Sequence, residues 1–237
     1  MILYTVDSRV RYSELDETGH MSLPALLAWL QDSALFHSQD VGCGLQDFAQ
    51  KGRIWVVSSW QLQIDRFPVF GEAFTVGTGA WDFRRAEGLR DFLFTSPDGT
   101  PWARAASTWT LISTETGRPV RATPEDTEPY GLITPLTMER APRRITLPPD
   151  LQPTGEVLIQ PHHLDTNRHV NNGWYVQMAL DALPEKPAVR EVRVEYHRQA
   201  RLGDTVIPFM GRTENGAAVD LRGEDGKSYA RVLFFTK

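Results

Sequence analysis

A carboxylate, an imidazole and three side-chain amides fall within one run of eight residues, Asp165-Thr166-Asn167-Arg168-His169-Val170-Asn171-Asn172. Those types can do proton chemistry. A histidine side chain ordinarily titrates near neutrality and can act as a general base. Amide N–H groups, and the open N–H groups at a helix N-terminus, can stabilise a developing negative charge. A neighbouring aspartate can hold an amide or the backbone in place by hydrogen bonding. Each residue alone would serve equally well in a turn or a helix cap. It is the block that points to chemistry.

The block has a disarmed twin. Residues 15–23 read Leu15-Asp16-Glu17-Thr18-Gly19-His20-Met21-Ser22-Leu23, in register with 164–172 at Leu, Asp and His. Thr18, Ser22 and Leu23 stand where the second copy has Asn167, Asn171 and Asn172. One half is therefore expected to catalyse and the other to shape a binding site. His20, without amides around it, reads as structural. His162 and His163 read as surface positions at a strand end. Metal chemistry is a poor reading, because neither CxxC nor HxxxH spacing occurs.

The elements that position these residues repeat as well. After each short segment comes an apolar stretch with helical spacing. The first runs from Leu23 to about Gln39, with Ser22 as N-cap and Pro24 in the first turn. The second runs from Gly173 to Leu183, capped by Asn171 or Asn172 and stopped by Pro184 and Pro187. Strand-like runs follow at 54–64, 73–83, 88–96 and 102–113, and again at 192–196, 205–212, 217–222 and 228–236. Each half reads as a strand, a long helix and four strands. That order builds an antiparallel sheet wrapped around one helix, an α+β fold. Residues 118–153 carry eight of the chain's 16 prolines and read as an extended linker. The expected domains are 1–117 and 154–237.

Composition bounds the function. A net charge of −5 argues against general nucleic-acid binding. Cys43 is the only cysteine, so no internal disulfide can form, and its setting between two glycines suggests a small buried or loop residue. No signal-like N-terminus and no apolar run of about 20 residues is visible, so a cytoplasmic protein with no membrane span is expected. No cofactor is expected. A monomer is physically sufficient, and a homodimer through exposed edge strands is open.

Together, the repeat order, Asp165-x-Asn167-x-His169-Val170-Asn171-Asn172 and the later Glu195-Tyr196-His197-Arg198-Gln199-Ala200 resemble the double-hotdog acyl-ACP thioesterase family over nearly the whole chain. The resemblance implies two tandem hotdog domains. It also implies hydrolysis of a fatty acyl thioester carried by the phosphopantetheine arm of acyl carrier protein, an acidic partner that an arginine-bearing rim would meet. By matching position, His169 would activate water, Asn167 would position the carbonyl or the water, and Asp165 would orient Asn167 or nearby backbone. Asn171 and Asn172 would cap the helix or fix the loop. Leu26, Trp29, Leu30 and Trp55 are candidate walls for the acyl chain, although any of them would also serve as core. One departure stands out. The family usually carries Glu at the position of Gln199, with Cys after it in plant members, where this chain has Ala200. Gln199 can hold a water but cannot act as a base. Strand alternation is expected to place Glu195 and His197 on the face of Gln199, where Glu195 could substitute as the acid, although a surface strand acid is the simpler reading. An acyl-CoA thioesterase and a non-hydrolytic acyl-binding module are the competing readings.

Overall fold

The computed structural model describes residues 3–236. It divides into two compact units. One holds residues up to 58 together with 64–140, the other 59–63 together with 141 onward.

In the first unit the chain forms β1 (Tyr4–Arg9), α1 (Leu23–Asp40), α2 (Leu45–Gln50), β2 (Arg53–Ile64), β3 (Ala73–Arg84), β4 (Glu87–Thr95), β5 (Pro101–Ser113) and α3 (Pro124–Thr127). The strands lie in the order β1-β3-β4-β5-β2. The pairings of β3 with β1 and β4, and of β4 with β5, are antiparallel. Helix α1 packs mainly on β3. It buries Leu23, Leu26, Leu27, Leu30 and Ala34, residues three or four apart that make one apolar stripe. Phe74, Phe94 and Trp102 form an aromatic cluster beneath it, with ring centroids 4.8–6.1 Å apart.

The ends of α1 follow from local chemistry. Ser22 is extended, and its side chain accepts from Ala25 N at 3.3 Å. Pro24 sits in the first turn, where its missing N–H is no loss. Gly42 takes φ +74° just past the last turn. Ser22→Ala should lower stability by about 1 kcal/mol, read as a shift in the urea midpoint without a change in slope.

The second unit contains β6 (Gln152–Pro153), β7 (Val157–Leu158), α4 (Asn172–Asp181), β8 (Glu191–Tyr196), β9 (Thr205–Thr213), β10 (Gly216–Arg222) and β11 (Ser228–Phe235). Its strand order is β8-β11-β10-β9-β6, with β7 also on β9. Residues Ser59–Gln63 of β2 belong to this unit and pair antiparallel with β8. Helix α4 packs on β10 and β11. Each unit thus has the helix and antiparallel sheet expected of it.

The proline-rich stretch is divided at Arg140/Ala141. Its first part packs on the first unit, where Val120, Ala122 and Tyr130 meet Cys43, Phe48 and Leu111. Its second part is tied to β8, since Ile145 N donates to Glu195 Oε2 at 2.8 Å. Cys43 is 2% exposed, and burial pushes its thiol pKa up.

Candidate active site

The duplicated sequence is a duplicated backbone. In the second copy Asp165 N donates to His169 O at 2.8 Å and Arg168 N to Asp165 O at 3.0 Å, while Leu164 bridges to Val170. In the first, Asp16 N donates to His20 O at 2.8 Å and Gly19 N to Asp16 O at 3.1 Å, while Leu15 bridges to Met21. The aspartate clamps each loop from inside. Asp165 Oδ1 accepts from Asn167 N at 2.8 Å and His169 N at 3.2 Å. Asp16 Oδ1 accepts from Thr18 N at 2.9 Å and His20 N at 3.3 Å.

The flanks repeat too. Val170 N donates to Ala200 O at 3.0 Å as Met21 N does to Pro68 O at 2.8 Å. A 3-10 turn precedes each loop, at Tyr12–Glu14 and at Pro161–His163. Its last side chain is turned inward to accept a backbone N–H: Gln160 N donates to His163 Nδ1 at 2.9 Å, as Arg11 N does to Glu14 Oε2 at 2.8 Å. His163 is therefore 8% exposed and structural, not a surface residue at a strand end. His162, beside it, is exposed.

The two copies part at the imidazole. His20 Nδ1 lies 3.0 Å from Thr18 Oγ1. In the second copy Asn167 replaces that threonine and is exposed. His169 is half-buried, and its Nδ1 is buried with no hydrogen-bond partner among the described residues. A buried ring nitrogen left unsatisfied is destabilising, and such groups persist where function uses them. Arg168 adds to the cost by adopting φ +59°, where its counterpart Gly19 has φ +82°. A left-handed non-glycine residue of this kind carries strain of about 1 kcal/mol or more.

The helix begins immediately afterwards. Asn171 is its N-cap, with Oδ1 accepting from Gly173 N at 3.0 Å. Asn172 is the first helical residue, and its carbonyl accepts from Tyr196 Oη at 3.0 Å. The open amides of the first turn therefore follow His169 by only a few residues.

Gln199 is exposed and reaches this region through its backbone neighbour. Ala200 N donates to Tyr175 Oη at 2.8 Å, and Ala200 O receives Val170 N. The expected alternation of Glu195, His197 and Gln199 on one face does not hold. Strand β8 ends at Tyr196, and His197 N and Arg198 N both donate to Tyr229 O, which breaks the period as a bulge does. Tyr196 is the residue that meets α4. Glu195 instead holds Ile145 N, with His197 Nε2 at 3.7 Å. Glu195 is not a stand-in acid for Gln199.

Of the expected wall residues, Leu26 and Leu30 are fully buried, and Trp29 is 8% exposed with Nε1 donating to Glu14 Oε1 at 2.7 Å. All three are core of the first unit. Trp55 does line a cavity there, of about 320 Å³, together with Leu35, Phe48, Phe83, Trp109 and other residues. That size is near the lower end for small-molecule pockets. His37 on α1 accepts from Arg90 Nη1 at 3.0 Å, and Arg90 lines that cavity. Burial, then the nearby Arg90 charge, lowers the His37 pKa from its ordinary 6.5 to about 4. The folded protein favours the neutral ring, so the unfolded chain binds more protons between these values. Stability should fall as pH drops from about 6.5 towards 4 and be complete above 6.5. In His37→Gln that portion of the pH dependence should disappear from thermal melts.

Residues 2–130 match the family model described as the acyl-ACP thioesterase N-terminal domain, and residues 156–232 match the acyl-ACP thioesterase C-terminal domain. The chain belongs to the acyl-ACP thioesterase family. Among curated members, the chloroplastic palmitoyl-acyl carrier protein thioesterase of Arabidopsis thaliana is 25% identical over 218 residues, covering 84% of this chain. The chain spans 52% of that relative's length. Among solved structures, an acyl-ACP thioesterase from Bacteroides thetaiotaomicron is 24% identical with a TM-score of 0.88, covering 98% of this chain and 97% of that one. The 12:0-ACP thioesterase from Umbellularia californica is 19% identical with a TM-score of 0.82, covering 97% and 95%. Likeness at these identities establishes the shared tandem hotdog fold. Like the family, this chain is α+β. No helix among the described residues is long and apolar enough to cross a membrane.

Proposed function

We propose that this chain hydrolyses fatty acyl thioesters carried on acyl carrier protein, releasing a free fatty acid and the carrier thiol. The observation that carries the proposal is the contrast between the two imidazoles: His20 is satisfied by Thr18, whereas His169 Nδ1 is buried and unpartnered. In this reading the second unit does the chemistry and the first holds the acyl chain. His169 takes a proton from water as the water oxygen adds to the thioester carbonyl carbon. The oxyanion is stabilised by N–H groups at the start of α4. Asn167 positions the carbonyl or the water, on a loop that Asp165 clamps. The C–S bond then breaks, and the leaving thiolate takes the proton from the imidazolium. Asn171 and Asn172 act by starting the helix there.

Gln199 in this scheme holds the attacking water through its amide. Gln199→Ala should lower kcat by about tenfold, as expected for one hydrogen bond of ordinary strength in the transition state, with KM nearly unchanged. A larger effect on KM than on kcat would remove Gln199 from this role.

A panel of acyl-ACP and acyl-CoA thioesters of matched chain length, assayed by thiol release, tests the proposal. Hydrolysis of the carrier-protein esters is the expected result. Preference for CoA esters would shift the substrate class. Binding without turnover would make the protein a carrier of acyl chains.

A further inference from the structure

The cavity of the first unit has mostly apolar walls; Asp32 and Gln39, both exposed, and Ser38 also line it, and Arg90 is the buried charged side chain among its lining residues. Arg90 on β4 lines it and is 6% exposed. Its Nη1 donates to His37 Nδ1 at 3.0 Å and to Thr78 Oγ1 at 3.2 Å. Its guanidinium lies 5.4 Å from the centre of the Tyr130 ring. None of these partners carries a negative charge. His37 offers a lone pair, Tyr130 keeps its proton because burial raises its pKa to about 12, and Thr78 is neutral. Among the described residues no carboxylate lies within 4.0 Å of Arg90. The adjacent Asp91, fully buried, is instead held by Arg140 in a two-pronged pair at 2.6 and 3.0 Å and by Leu136 N at 2.8 Å.

A buried charge without a counter-ion is strongly destabilising. Hydrocarbon walls around a planar, forked donor match one kind of molecule, an aliphatic chain ending in a carboxylate. Phe36 and Leu45 line the same cavity and are 48% and 47% exposed, so its apolar wall reaches the protein surface. Nη2 and Nε of Arg90 make no hydrogen bond within the described residues and are free to take the two carboxylate oxygens.

We propose that the cavity of the first unit binds an aliphatic carboxylate, with its head group on Arg90 and its chain against Leu35, Phe48, Trp55 and Trp109. Two molecules carry that chemistry. One is a free fatty acid, the product of the hydrolysis proposed above. The other is the distal carboxylate of a dicarboxylic acyl chain. Both rest on that reading for their biological source, but the binding itself does not depend on turnover.

Calorimetric titration of the whole protein with decanoate and with decanol decides the matter. Decanoate should bind about tenfold more tightly or better, and Arg90→Met should abolish that preference while keeping decanol binding. Equal affinity for the two ligands in the unaltered protein overturns the proposal without need of the variant. So does an Arg90→Met protein, folded by circular dichroism, that still prefers decanoate. Two kinetic arms assign the source. Faster hydrolysis of an ω-carboxydecanoyl thioester than of the decanoyl thioester assigns the distal carboxylate, and inhibition by decanoate without such a preference assigns the free acid. Carboxylate binding through Arg90 in a protein that cleaves no thioester would sink the hydrolase reading and leave this one standing. Hydrolysis with no preference for decanoate would do the reverse.

Discussion

Replacing His169 by Ala is expected to lower kcat for acyl-ACP hydrolysis by about 10²–10⁴-fold, the range that a positioned general base contributes. KM should change little, because the acyl chain and the carrier are bound by other parts of the chain in the proposed scheme. The fold should survive. His169 is half-buried, its Nδ1 bonds to nothing among the described residues, and the hydrogen bonds that build its loop run through its backbone N and O. An alanine keeps all of those. Steady-state thiol release, with circular dichroism and a melt on the same sample, is the check. A folded variant with near-normal turnover removes His169 from the mechanism.

Aspartate 165 offers the second large effect, and the duplication supplies its control. Asp165→Ala removes the acceptor of two backbone N–H groups and frees Arg168 to leave its left-handed conformation. The loss of stability should be about 2 kcal/mol, roughly 1 kcal/mol for each of the two bonds. The loss of kcat should be larger, on the order of 10²-fold, because displacement of a catalytic group by about 1 Å has that effect. Asp16→Ala removes the matching clamp from the first copy, which accepts from Thr18 N and His20 N. It should cost similar stability and leave kcat unchanged. Urea unfolding and steady-state kinetics on the two variants separate these effects. Equal losses of activity would mean that the first loop is not the disarmed twin described here.

Much of the fold was legible in the sequence. Helix α1 announces itself through Ser22, Pro24 and a repeating apolar stripe, and the observed Leu23–Asp40 differs from the expected span by one residue. Strand β5 alternates between buried and half-buried positions, whereas β2 and β3 carry continuous buried runs that read as strands through their apolar and β-branched residues. Other parts were not legible, for definite reasons. Helix α2, Leu45–Gln50, is too short for its periodicity to register. The 3-10 turn at Pro161–His163 has no apolar pattern, so the inward turn of His163 could only be found from its bond to Gln160 N. Reading Glu195, His197 and Gln199 as one face assumed that the strand continued beyond Tyr196, and a local irregularity invalidates any period-two argument past that point.

The candidate site divides in the same way. The Asp165–His169 loop was legible because its chemistry is contiguous in sequence and its twin gave a reference. The walls of the cavity were not. Leu26 and Trp55 are both apolar residues at plausible positions, yet only Trp55 faces the open space. Apolar pattern tells burial but not which buried residue borders a void. Arg90 and Asp91 were hidden for a related reason. An adjacent charged pair in a strand usually puts one member in solvent, whereas here both are buried, at 6% and 0% exposure.

The central claim is that His169 makes water the nucleophile. Single-turnover hydrolysis of an acyl-ACP in ¹⁸O-enriched water tests it most directly. The account predicts that the fatty acid released in the first turnover carries one ¹⁸O atom, and that His169→Ala releases almost no acid, labelled or not. Unlabelled acid in that first turnover would show that an oxygen of the protein had attacked the thioester, and would contradict the account.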